Sequence, residues 1–296
     1  MVPDYHSSFV PRAPLDLRLT LMPVAGTRRD AEGAVWLATR TPAGPATLRL
    51  RQDRETVDVS AWGQGAEWAA LHAPILCGEE DDATGFDPMD PRVRRLHRDA
   101  RGLRIPRTQA VFEALVPTVI GQLVTSIEAH RAYRALVAAL GEEAPGPAGM
   151  KLPPSPKVLA STPYWTFHPF GIERRRAETI IRAAQSAPRL EEAVLMDRES
   201  AYRRLRAFPG VGPWTAAKVA LAALGDADAV PVGDYHLPHS VGYLLDGTAR
   251  STDERMLELL EPYRGHRGRV ILLIVAGGIS APRFGPHQPL RDIVHS

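Results

Sequence analysis

The stretch LRAFPGVGPWTAAKV, residues 205–219, restricts this chain more than any other. Pro209 and Pro213 bracket Gly210 and Gly212, so the backbone has to reverse within a few residues. Glycine permits the left-handed conformations such a turn needs, and proline suits the first position of a helix. The spacing predicts a helix ending at Phe208, a tight hairpin, and a new helix starting near Trp214. Backbone N–H groups at that start point outward, where the helix dipole favours an anion. Such a hairpin is a phosphate seat made of main chain, able to grip a strand without reading its bases. The same pentapeptide also suits a plain helix–helix turn. A dinucleotide-binding glycine loop is excluded, because Thr215 stands where its third glycine belongs and a helix precedes the turn.

Periodicity divides the rest. Leu15, Leu17, Leu19 and Leu21 alternate with polar residues, the period of two expected of a strand. VWLAT at 35–39, TLRLR at 47–51 and TVDVSAW at 56–62 follow between Gly-, Pro- and Asp-rich turns, and Ala66 to Leu76 reads as a helix covering the sheet. This predicts a small α+β domain with an antiparallel sheet, residues 1–87. Its end runs into GEEDDATGFDPMD, residues 78–90, where Glu79, Glu80, Asp81, Asp82, Asp87 and Asp90 occur without a cation, and this reads as a solvated acidic linker. From Asp90–Pro91, an N-cap and first-turn proline, the pattern is helical. Thr108 and Thr125 open further helices, 141–157 is a proline-rich loop, and helices follow at about 173–187, 190–196, 199–207, 214–224, 236–245, 252–261 and 267–277. Ser251 to Glu254 fits a capping box. The second domain, 88–296, is therefore all-helical, with its helix-hairpin-helix at about 199–224.

Composition removes several classes. Cys77 is the only cysteine, which excludes internal disulfides, cysteine-ligated clusters and cysteine zinc fingers. The N-terminal residues lack the basic and apolar regions of a signal peptide, and no run reaches the ~20 apolar residues of a membrane helix. A cytoplasmic protein is the expectation. The net charge of +2 conceals sorted stretches: seven arginines against Asp99 in 91–107, and five against Asp292 in 262–296. Such sorting can steer a nearly neutral chain onto DNA.

Downstream of the hairpin, AVPVGDYHLP places Asp234 twenty residues after Trp214, just ahead of a helix. A carboxylate there is by default an N-cap. The combination F-P-G-V-G-P-W-T-A with D-Y resembles the helix-hairpin-helix superfamily of DNA glycosylases, and within it the 3-methyladenine DNA glycosylase II branch. TVIGQLVTSIEAHRAYRALVAALGE, residues 118–142, is similar to that branch's Gln-Leu helix pair. The likeness runs in order along nearly the whole chain and implies a fold of α+β sheet domain followed by an all-α glycosylase body.

It also implies roles. Leu123, flanked by Gln122, would fill the gap left by an extruded nucleotide; read alone, it suits a core leucine. Gly210, Gly212 and Thr215 would hold the DNA strand. Asp234 would be the catalytic carboxylate, orienting or deprotonating a water and stabilising charge at the anomeric carbon. Trp214, Tyr235 and Lys218 would sit at the base pocket, where aromatic rings favour cationic bases. Strand-cleaving relatives carry a Schiff-base lysine at the position of Trp214, so the implied enzyme is monofunctional. It would release alkylated purines such as 3-methyladenine and 7-methylguanine from double-stranded DNA as a monomer. The alternatives are oxidised or deaminated purines (8-oxoguanine, hypoxanthine), or a non-catalytic DNA-binding protein. No cofactor is required. A monovalent sodium or potassium ion on the carbonyls of Phe208 and Val211 is implied at the hairpin.

Departures are specific. Lys218 stands where the branch commonly has an aromatic, one turn after Trp214, and reads either as a surface or a pocket lysine. Val275 occupies a region where a pocket tryptophan is often found. His236 and His239 lack a third ligand nearby and read as polar residues at a helix start. Arg283 and His287, in the tail APRFGPH, are expected to be solvent-exposed.

Overall fold

The computed structural model describes residues 1–282, so Arg283 and His287 lie outside the described residues. Strands β1 (Tyr5–Phe9), β2 (Arg28–Arg29), β3 (Val35–Thr41), β4 (Gly44–Asp53) and β5 (Thr56–Trp62) form one antiparallel sheet in the order β1-β5-β4-β3-β2. The first strand is not the leucine-alternating segment. Leu17–Thr20 is instead a short helix, α1, whose N-cap Asp16 accepts the Leu19 N–H at 2.9 Å. The alternation misleads because both sides of this segment are covered. Leu15, Leu17 and Leu21 join the sheet's core, while Leu19 joins an apolar cluster of the helical part. Helix α2 (Ala66–Leu76) buries Ala66, Ala69, Ala70, Ala73 and Leu76, one helical stripe, in the core that holds Leu48, Leu50, Val57 and Val59.

The remaining elements are helical: α3 (Pro91–Asp99), α4 (Val111–Ile120), α5 (Ser126–Leu140), α6 (Pro156–Ser161), a 3₁₀ stretch Tyr164–Phe170, α7 (Arg174–Gln185), α8 (Ala187–Glu191), a 3₁₀ turn Glu192–Leu195, α9 (Arg198–Arg206), α10 (Pro213–Val219), a π-helical turn Ala220–Leu224, α11 (Leu237–Asp246), α12 (Asp253–Leu260), a 3₁₀ turn Glu261–Tyr263 and α13 (Arg267–Ala276). No helix among the described residues is long and apolar enough to cross a membrane. Asp90 caps α3 as expected, accepting from the Arg92 N–H at 2.8 Å. Thr108 does not open α4. The N–H groups of Thr108 and Gln109 are donated to the carbonyls of Ala222 and Ala223, which holds this stretch out of the helix. The free N–H groups of Val111 and Phe112 are taken instead by the Glu191 carboxylate, each at 2.9 Å. The capping box forms at Thr125 and Glu128, whereas at α12 the N-cap is Thr252 rather than Ser251.

The acidic block is only partly solvated: Asp82 and Asp87 are exposed, whereas Glu79 and Asp81 are enclosed in ion pairs. Asp81 is 2% exposed and pairs with the equally buried Arg269 at 2.6 Å, while also accepting the Ile105 N–H at 3.0 Å. Glu79 pairs with Arg104 at 2.7 Å, and Glu80 with Arg107. Charge counting misses this because the cations arrive from positions 104, 107 and 269, far along the chain. Some of the sorted arginines are paired, Arg92 with Asp90 and Arg264 with Glu261 at the surface and Arg267 with the buried Asp228, while Arg94, Arg95, Arg98 and Arg101 stay exposed.

Candidate active site

The hairpin between α9 and α10 follows the expected path. Gly210 has φ +91°, and a Cβ there would stand 2.4 Å from the Thr179 hydroxyl, so the position requires glycine on two grounds. Gly212 faces open space, with nothing within 4 Å of where a Cβ would lie. Val211 is buried and anchors the turn, and its N–H donates to the Phe208 carbonyl at 3.0 Å. Helix α10 then passes into its π-helical turn, a rare geometry found mostly at functional sites.

Twenty residues on, Asp234 does two things at once. Its Oδ1 accepts the N–H groups of His236 and Leu237 at 2.9 and 3.0 Å, satisfying the exposed donors at the start of α11. Its Oδ2 accepts the Trp214 indole N–H at 2.8 Å. The expected N-cap is thus present, and its second oxygen is held by the hairpin helix. The carboxylate is locked from behind by helix α11 and from the side by the hairpin helix. Lys218, one turn after Trp214, is exposed and lines the same cleft, with surrounding protein atoms reducing its contact with bulk water. That surrounding lowers its pKa, partly offset by the negative charge of Asp234.

Between α4 and α5 the chain makes a tight turn at Gly121, Gln122 and Leu123. Leu123 is 86% exposed and has φ +59°, a conformation that costs a bulky L-residue ~1–2 kcal/mol. It is no core leucine. Gln122 fixes the turn to the hairpin, its amide donating to the Gly210 carbonyl at 2.9 Å and to the Thr215 hydroxyl at 2.8 Å. Thr215 is 2% exposed, and its hydroxyl is taken up by Gln122. Arg176, buried on α7, donates to the Ile120 carbonyl at 2.6 Å and braces the same turn.

These groups surround one cleft of about 2140 Å³, which Asp234, Trp214, Lys218, Gln122, Leu123 and Gly212 all line. Tyr235 reaches it at the rim, 79% exposed, with its ring set edge-on against His236 and His239. His239 accepts the Ser251 N–H through Nδ1, and no cluster of three metal-ligating side chains exists among the described residues. Val275 is half exposed on α13, away from the described walls of the cleft.

The cleft also holds residues that sequence reasoning missed. Arg175, Arg206 and Arg250 line it without an ion pair among the described residues, in contrast to the arginines consumed internally. No local signal separates them from other surface arginines. Trp68 and His72 stack at 3.7 Å on the sheet side. Glu113, a lone acid on the apolar helix α4, was visible in the sequence. Its carboxyl accepts from the Thr39 hydroxyl at 2.6 Å and the Arg40 N–H at 2.8 Å, joining α4 to strand β3. Burial raises its pKa to about 7 from 4.5, against those two hydrogen bonds. A raised carboxylate contributes stability below the unfolded value and loses it as pH climbs through the folded one. Glu113→Gln is therefore expected to match wild type at pH 4.5 and to exceed it at pH 8, by up to about 3 kcal/mol at ~1.4 kcal/mol per unit. Urea unfolding at the two pH values measures this, and an equal offset at both would refute it.

No family model matches the chain. A DNA-3-methyladenine glycosylase of Bacillus subtilis is 28% identical over 194 residues, which cover 62% of this chain and 64% of the relative. The match thus spans less than two thirds of that relative's length. Among solved structures, a 3-methyladenine DNA-glycosylase from Archaeoglobus fulgidus superposes with a TM-score of 0.75 at 20% identity, covering 91% of this chain and 97% of that one. An 8-oxoguanine glycosylase/lyase of Clostridium acetobutylicum superposes with a TM-score of 0.72 at 14% identity, over 93% of this chain and 99% of that one. The fold is that of these DNA glycosylases. In sequence, the chain is similar to 3-methyladenine DNA glycosylases.

Proposed function

We propose that this chain is a monofunctional DNA glycosylase that removes alkylated purines from duplex DNA. The observation that carries the reading is the lock on Asp234: a carboxylate held by Trp214 and the start of α11, open to a cleft beneath the hairpin. A base inside a duplex is inaccessible, so the nucleotide must rotate out, at a cost of a few kcal/mol. Leu123 enters the stack and holds the gap. The hairpin N–H groups near Gly210 and Gly212 hold a phosphate, with Arg175, Arg206 and Arg250 along the same strand path. The flipped sugar then faces Asp234. The C1′–N9 bond breaks with its electron pair going to the base, the water oxygen bonds to C1′, and the water proton passes to Asp234. An N3- or N7-alkylated purine leaves as a neutral base and needs no proton.

Trp214 occupies the position where an amine would make a Schiff base, which supports hydrolysis over strand cleavage. A single copy on one duplex site suffices, so a monomer acting in the cytoplasm on nucleoid DNA belongs to this reading. The carbonyls of Phe208 and Val211 are hard oxygen donors that suit a monovalent cation. Bound there, it would supply positive charge toward the phosphate.

The test is release of free 3-methyladenine or 7-methylguanine from methylated duplex DNA, leaving an intact abasic strand. No release by the wild-type protein from any damaged DNA would return the chain to a DNA-gripping module. The wedge has its own check. Leu123→Gly removes the φ strain and little burial, so thermal stability should stay equal or rise by ~1 kcal/mol. Excision from duplex DNA should fall ~10-fold or more, with a smaller loss on single strands. Equal loss on both substrates would remove the wedge role.

A further inference from the structure

The lysine in the cleft is at odds with a pocket meant only for cationic bases. Lys218 projects from the same face of α10 as Trp214 and lines the cleft with Asp234. It forms no salt bridge among the described residues, so its ammonium is not consumed as the buried arginines are. An ammonium at this point repels a cationic purine, where an aromatic ring would attract one. It does, however, supply what a neutral purine lacks. A cationic base leaves unaided, whereas a neutral one leaves as an anion unless a proton reaches it.

Resting on the glycosylase reading above, we propose that Lys218 is the proton donor to the leaving base when that base is a neutral modified purine. The bookkeeping of atoms is complete. The C1′–N9 bond breaks toward the base, the Lys218 ammonium transfers one proton to a basic atom of that base, and water adds its oxygen to C1′. The water's proton goes to Asp234 and then returns, through solvent, to the Lys218 amine. The products are the neutral base and an abasic sugar. Protein packed around Lys218 lowers its pKa and makes it a better donor near neutral pH, with Asp234 retaining the charged form.

The experiment compares single-turnover release from oligonucleotides carrying one hypoxanthine (neutral) or one 7-methylguanine (cationic). Lys218→Met keeps the length of the side chain and removes the proton. It should lose hypoxanthine release ~100-fold while 7-methylguanine release rises several-fold, because the charge that repels a cationic base is gone. Lys218→Arg keeps the charge without a transferable proton and should lose hypoxanthine release without gaining on 7-methylguanine. Unchanged melting temperatures exclude misfolding. Equal effects of Lys218→Met on both lesions, or none, would overturn the proposal, as would wild type releasing 7-methylguanine but not hypoxanthine. A borohydride-stable cross-link to Lys218 overturns it too, since the amine would then be a nucleophile. Release of neither base by wild type would instead overturn the glycosylase reading, and the proposal with it.

Discussion

Asp234→Asn is expected to bind abasic-site DNA as wild type does and to release no detectable alkylated base, a fall of ~10³-fold or more. The geometry explains both halves. The carboxylate uses one oxygen to cap α11 and the other to accept the Trp214 indole, so its position is set before any substrate arrives. Asparagine keeps the shape but has one acceptor oxygen for two sets of donors. Whichever way the amide turns, its NH₂ faces an N–H. The cap or the indole bond is lost, at ~1 kcal/mol, a drop the protein should survive. The negative charge that, on the proposed reading, faces the anomeric carbon and takes the water's proton is lost as well. Release of base by Asp234→Asn at the wild-type rate would remove Asp234 from the chemistry.

Asp81→Asn is expected to cost ~3–5 kcal/mol in stability while leaving excision at low temperature near normal. The Asp81 carboxylate and Arg269 guanidinium are both almost fully enclosed, and removing one charge strands the other in a poorly solvating interior. At roughly 2–4 °C per kcal/mol for a chain of this size, the melting temperature should fall by ~10 °C. A double variant, Asp81→Leu with Arg269→Met, should recover much of the loss, because no buried charge then lacks a partner. If Asp81→Asn melts within ~1 °C of wild type, the pair is a solvated surface contact and the linker reading returns.

The two cases show how differently features were legible. The hairpin was readable because glycine and proline act locally: Gly210 at φ +91° needs no distant partner to declare itself. Asp234 was readable by its spacing from Trp214, although the bond between them joins residues 20 apart. The leucine alternation at 15–21 failed because period two describes a segment with one covered face, and this one has two. The acidic block failed because its charges were counted against near neighbours, while its partners come from residues 104, 107 and 269. The proposed wedge role of Leu123 came only through resemblance, since nothing about a leucine after Gly-Gln states that it will be exposed.

Local propensity thus determined by itself where chain reversals, caps and most helices fall, and it carried the hairpin and the key carboxylate. Only the tertiary structure decided which charges were spent inside and which face the cleft, and that Leu123 stands exposed and strained above it. It also set Lys218 beside Asp234. The reason is physical: backbone preferences act over a few residues, whereas burial and ion pairing depend on what the fold brings within a few ångströms.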